Sequence, residues 1–127
     1  MSKHVRNGKG SVRPYIYGNL DLPDFVREVF GAKELERHTF PNGGHHIEAE
    51  IGDSMIVIEA AKSFPAGSGV TKNSIYVYVD NVDGAYTRAM EMGAASISAP
   101  EQKPYQERQG GVKDSFGNTW WISTYTG

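Results

Sequence analysis

The chain contains no cysteine, and that single absence removes disulfides, thiolate-held metals and cysteine nucleophiles together. It fits a reducing compartment, and a cytoplasmic setting is expected. No window approaches 18 uninterrupted apolar residues, so no membrane-crossing helix is expected. The basic opening MSKHVRNGKGSVRP is followed by no apolar run of the kind a secretory signal needs. A dense basic block is missing too. Lysine and arginine total 13 against 15 acidic residues, for a formal net charge of −2, and are scattered along the chain. Nothing in that pattern offers a footprint for nucleic acid or an anionic membrane. What remains is a 127-residue chain, the size of one domain that buries about two-thirds of the surface it would expose unfolded. The partner expected for it is a small molecule or another protein chain.

Residues 1–11 read as a flexible tail. VRPYIYG, residues 12–18, is short, aromatic and β-branched, and reads as a strand. NLDLPDFVREVFGA predicts a helix: Asp21 is placed to cap it, Pro23 lies in the first turn, Phe25, Val26, Val29 and Phe30 recur at helical spacing, and Gly31 stops it. Three strands follow, KELERHTF, HHIEAEIG and SMIVIEAA, separated by PNGG and GD turns. SFPAGSGVTK, residues 63–72, has little to bury and reads as a linker. The order then repeats as NSIYVYVDN, the helix VDGAYTRAMEMGA, and the weaker strands SISAPEQ, QGGVKDS and NTWWISTY. Strand, helix and three strands occur twice, and the helices end alike in FGA and MGA. The pattern is an internal duplication: a first βαβββ module at residues 12–62 and a second at 73–127. The predicted class is α+β, with a curved, cup-shaped mixed sheet and the helices on its outer face.

Alternation assigns the strand faces. Ile75, Val77 and Val79 should meet a helix and Ser74, Tyr76 and Tyr78 should not. On the same reasoning Arg13, Tyr15 and Tyr17 oppose Val12, Pro14 and Ile16, while Met55, Val57 and Glu59 oppose Ile56, Ile58 and Ala60. The adjacent Trp120 and Trp121 must point oppositely, Trp120 with Ile122 into the core and Trp121 away from it. The helix-free set is therefore Arg13, Tyr15, Tyr17, Met55, Val57, Glu59, Ser74, Tyr76, Tyr78 and Trp121. Aromatic area with polar tips is the composition of a ligand groove; the same faces also suit a subunit interface.

The paired modules, the DFVREVFGA helix end, the YVDNVDGAYTRAMEMGA step and the closing DSFGNTWWIS resemble the glyoxalase, bleomycin-resistance and extradiol-dioxygenase (vicinal oxygen chelate) superfamily, over residues 12–126. The closing motif and first helix are most similar to its PhnB-like branch. The resemblance implies the glyoxalase-like fold, and it implies a two-fold homodimer in which each groove draws on both chains. In metal-using members, four ligands come from the first and last strand of each module. The matching positions here are Arg13, Glu59, Ser74 and Trp121. Only Glu59 is a plausible ligand, whereas a stable divalent site wants three or more. The resemblance thus points to a metal-free protein, with no cofactor and no catalytic residue, that binds a small apolar or aromatic molecule. A divalent-metal lyase, isomerase or dioxygenase of the same superfamily and a ligand-free dimeric interaction protein are the alternatives.

Two further features carry chemistry. His46, Glu48 and Glu50 share one strand face, and the preferred reading is a solvated surface strand rather than a metal or acid–base site. Glu59 is the acid expected inside, either as a proton acceptor or, preferably, in a hydrogen-bond network with Arg13 or Tyr76. Residues 105–111, YQERQGG, read as a loop over the groove mouth.

Overall fold

The computed structural model describes residues 4–127; Met1, Ser2 and Lys3 of the expected tail lie outside the described residues. The two modules are present in the predicted order. In the first, β1 (Tyr15–Gly18), α1 (Leu22–Phe30), β2 (Lys33–Thr39), β3 (His45–Ile51) and β4 (Ser54–Ala60) build a four-stranded sheet ordered β1-β4-β3-β2. In the second, β5 (Ser74–Tyr78), α2 (Val82–Glu91), β6 (Ala95–Lys103), β7 (Glu107–Lys113) and β8 (Thr119–Tyr125) repeat it as β5-β8-β7-β6. In each sheet the first and last strands of the module run parallel and the other pairs antiparallel. The cup is thus two open, curved sheets.

The helices form where an apolar stripe meets punctuation. Pro23 opens α1, whose Phe25, Val26 and Val29 are buried, and Gly31 closes it at φ +69°, a conformation glycine adopts without Cβ strain. Asp21 does not cap α1; its carboxylate accepts the Ser115 hydroxyl from the distant β7–β8 turn instead. In α2 the cap is Asn81, whose side chain accepts from the Gly84 amide at 3.0 Å. Ile16, Ile47, Ile58, Val112, Trp120 and Ile122 are almost wholly buried beneath these helices.

β1 is shorter than VRPYIYG suggested. Its pairing with β4 starts at Tyr15, and Val12 is 89% exposed, because Arg13 turns back toward residues 6–10 and leaves the sheet. β7 is longer than predicted: Glu107 and Arg108, read as loop, pair with Tyr125 and Thr124.

Module meets module through DSFGN. The outward carbonyls of β1 would be unpaired at a bare strand edge; Tyr15 O accepts Asn73 Nδ2 at 2.9 Å and Tyr17 O accepts Asn118 Nδ2 at 2.7 Å. Asp114 Oδ1 accepts the amides of Phe116, Gly117 and Asn118, each at 3.0 Å, while Oδ2 accepts Asn118 Nδ2 at 3.0 Å and the Trp120 indole at 2.9 Å. Trp120 then packs on Phe25 and Phe30 of the first module's helix, with ring centroids 6.0 and 5.1 Å apart.

Candidate functional site

Both sheets present one face to the helices and an open face away from them, and the open faces carry most of the chemistry. On the first sheet the β3–β4 register sets His46 opposite Glu59, and the β2–β3 register sets His38 opposite His46 and Glu36 opposite Glu48. The alternation predicted for β3 holds, since Ile47 and Ala49 are buried against the helix layer, but the solvated-strand reading of the other face does not. Glu48 is 7% exposed. Its two oxygens accept Arg13 Nη1 at 2.5 Å and His46 Nε2 at 2.6 Å, while His46 Nδ1 bonds Glu59. Glu59 therefore sits in a network, as preferred, but with His46 and Tyr15 as partners instead of Arg13 or Tyr76. The physical reason is register: Glu59 lies beside Tyr17 in β1 and across from His46 in β3, out of line with Arg13.

A ring with a carboxylate on each nitrogen must donate from both, which defines imidazolium. Partial burial of His46 opposes its charge, but the hydrogen bonds it donates to Glu59 and Glu48 outweigh burial and raise the pKa above the usual histidine value. Burial, then the bond to Glu59, pushes the Tyr15 hydroxyl up to about 12, so it stays a donor at neutral pH. A raised folded-state pKa contributes stability that is complete below the unfolded value of about 6.5 and fades as pH rises through the folded one. Urea midpoints of the wild type should therefore drop between pH 6 and pH 9 by more than those of His46→Gln; parallel slopes would show that His46 does not carry this pH dependence. Beside the cluster, Arg6, Glu36, Arg37, His38, His46 and Glu48 line a hollow of about 390 Å³.

The second sheet's open face is aromatic. Trp121 lies over Gly111, where an added Cβ would stand 2.5 Å from its Cζ3, and its indole donates to Ser74 Oγ at 3.2 Å. Tyr76 and Tyr78, 45% and 62% exposed, both donate to Glu107, which raises both phenol pKa values; for Tyr76 burial is the larger cause, for Tyr78 the hydrogen bond. Gln109 Nε2 donates to Ser123 Oγ at 2.9 Å. Sequence reasoning missed Glu107 and Gln109. The signal is there, because Glu107, Gln109 and Gly111 alternate onto the Trp121 face, but the strand expected from QGGVKDS begins only at Gln109 and leaves Glu107 in the expected loop.

Of the residues assigned to a groove from sequence, Tyr15, Tyr17, Val57 and Glu59 stand together on the first sheet, and Ser74, Tyr76, Tyr78 and Trp121 on the second. Met55 shares the first face yet is only 1% exposed, because Gly10 lies on it. Arg13 reaches that face through Glu48. Tyr17 also meets Phe64 of the linker, and Phe64 meets Phe116, at centroid distances of 5.5 and 5.7 Å. The linker and Phe116 enclose a larger hollow of about 510 Å³, built from loop residues and separate from the charged cluster.

A divalent metal at the superfamily's ligand positions finds a poor donor set. Ser74 and Trp121 bond one another, Arg13 is a cation engaged by Glu48, and Glu59 is taken by His46. His46 itself has no ring nitrogen to offer. Among the described residues, no group of three or more His, Asp or Glu is arranged to hold a metal ion, and no helix is long and apolar enough to cross a membrane.

Comparison with known proteins agrees with this architecture. A family model described as the Glyoxalase/Bleomycin resistance protein/Dioxygenase superfamily matches residues 23–122. The chain is 31% identical over 106 residues to an uncharacterised Mycobacterium bovis protein, covering 76% of this chain and 70% of that one. A Mycobacterium tuberculosis relative, also uncharacterised, matches at the same identity over 106 residues and 76% of this chain, which spans 62% of that protein's length. Among solved structures, a glyoxalase/bleomycin resistance protein/dioxygenase family enzyme from Burkholderia phytofirmans superposes with a TM-score of 0.70 at 22% identity, covering 92% of this chain and 99% of that one. TioX from Micromonospora gives 0.68 at 22%, covering 91% and 99%. FosX from Listeria monocytogenes, a fosfomycin resistance protein complexed with Mn(II) and sulfate, gives 0.63 at 14%, covering 91% and 92%. At such identities the structural likenesses speak for the fold. With the paired modules, their matching strand orders and the family match over residues 23–122, the chain belongs to the glyoxalase, bleomycin resistance protein and dioxygenase superfamily.

Proposed function

We propose that the protein binds a small aromatic or apolar molecule on its open sheet faces, without a metal, and that a two-fold homodimer completes each groove. The observation that carries this reading is Trp121. An indole bonded to Ser74 occupies the strand position where metal-using relatives would place an acidic ligand, and it makes that part of the face a stacking surface instead of a Lewis-acid centre. Tyr15, Tyr76 and Tyr78 stand exposed on the same two faces, with their hydroxyls directed by Glu59 and Glu107. Exposed aromatic area of this kind either binds a ligand or pairs with another chain. A two-fold operator would satisfy both, by closing the face of one protomer with that of its partner.

Tryptophan emission tests the reading. Screening flat, apolar compounds should reveal saturable quenching that Trp121→Ala abolishes while leaving the thermal midpoint nearly unchanged. Gly111→Ala is expected to shift the signal and weaken binding by about tenfold, since the new Cβ displaces the indole. Quenching that survives in Trp121→Ala would move the ligand elsewhere. Stoichiometric divalent metal in the purified protein, lost on Glu59→Gln, would overturn the metal-free reading.

A further inference from the structure

We propose that residues 5–13 form a releasable strap over the first sheet's open face, and that lifting it uncovers the Met55 floor of the groove. This regulation rests on the ligand-groove reading above, but the strap has its own physical basis. The segment reaches the sheet by a compact route: Asn7, Gly8 and Gly10 have φ of +64°, +74° and +77°. Arg13 gathers the resulting loop, donating to the carbonyls of Arg6, Lys9 and Gly10 while its Nη1 holds Glu48. Gly10 is then pressed onto the sheet so closely that a Cβ there would stand 2.7 Å from Met55 Cβ. Met55 is an apolar side chain on an open face, and the segment above it accounts for its burial.

What holds the segment down is charge. Arg6 pairs with Glu36 and Lys9 with Glu50, at 2.9 and 2.7 Å, and both pairs reach solvent. Of residues 5–13 none is buried in the core, and Val12 points outward. No backbone hydrogen bond joins residues 5–13 to the strands among the described residues. Solvent-exposed ion pairs are weak and screened by salt, and a segment lacking an apolar anchor belongs to the least stable part of a fold. The strap is thus fastened firmly at Arg13 and loosely at Arg6 and Lys9, as a flap hinged near residue 13 would be. Raised, it exposes Met55 and Glu50 on the face that carries Tyr15 and Glu59, while Arg13 stays on Glu48, and it extends the groove toward β2.

Methionine oxidation reads this directly in the full chain. Met90 and Met92, each 36% exposed, report the strength of the peroxide, and Met55 reports the strap. Mass spectrometry should find Met55 oxidised slowly at low salt and roughly tenfold faster in the Arg6→Ala/Lys9→Ala double variant, with high salt acting in the same direction. Gly10→Ala should have a similar effect by steric contact, without changing any charge. Near-UV circular dichroism must show the Trp120 core intact throughout. Equal Met55 rates in all these proteins would overturn the strap, and so would an acceleration that appears only with loss of the Trp120 signal. The groove reading stands or falls separately, on quenching of Trp121.

Discussion

Asp114→Ala is expected to lower the unfolding free energy by about 4 kcal/mol, the upper end of what single substitutions cost. The carboxylate is buried and accepts five donors: three backbone amides of its own turn, Asn118 Nδ2 and the Trp120 indole. Alanine leaves those donors in a site from which water is largely excluded, and an unsatisfied buried donor costs more than the bond contributed. The damage also spreads. Asn118 can no longer be held against Tyr17 O, so the contact that closes the edge of β1 loosens. Asp114→Asn keeps one acceptor oxygen but turns an amide group toward donors, and should fall between wild type and alanine. The check is a urea titration at constant m-value, with a fall in Tm of roughly 15 °C. A loss below about 1 kcal/mol would show that the turn is held by something other than this carboxylate.

Trp120→Ala should cost about 3–5 kcal/mol, whereas Trp121→Ala, one residue away, should cost no more than about 1 kcal/mol. Trp120 is 0% exposed and stacks against Phe25 and Phe30, which belong to the other module. Its removal opens a cavity at the seam between the two halves, where the surrounding helices cannot collapse without breaking the contacts of Arg88 with Glu28 O and Val29 O. Trp121 faces outward and leaves no enclosed void. A Trp120→Ala/Phe30→Ala double cycle should show coupling of about 1 kcal/mol across the seam, since aromatic pairs contribute beyond their buried area. Equal costs for the two tryptophans would contradict the assignment of their faces.

The structure sorts the chain's features by the kind of interaction that fixes them. Strand faces were legible because alternation is local: Ile75, Val77 and Trp120 on one side, Tyr76 and Trp121 on the other, follow from a two-residue period that no tertiary contact overrides. Both helices were legible from their apolar spacing and terminal glycines. The role of Asp21 was not, because a capping residue and an acceptor for a hydroxyl 94 residues away look the same in sequence. Glu107 escaped because its strand is rich in glycine and charge, and pairing with β8 keeps it extended where intrinsic preference would not.

By itself, then, the sequence determined the duplicated strand-helix-three-strand order, the α+β class and the opposite directions of the paired tryptophans, all of which follow from periodicity and turn chemistry within a few residues. Only the tertiary structure decided that His46 lies between Glu48 and Glu59, that Arg13 serves Glu48, and that residues 5–13 lie over Met55. The His46–Glu59 contact depends on inter-strand register, which a one-residue slip would have undone, and the other two depend on a segment distant in the chain folding back over the sheet.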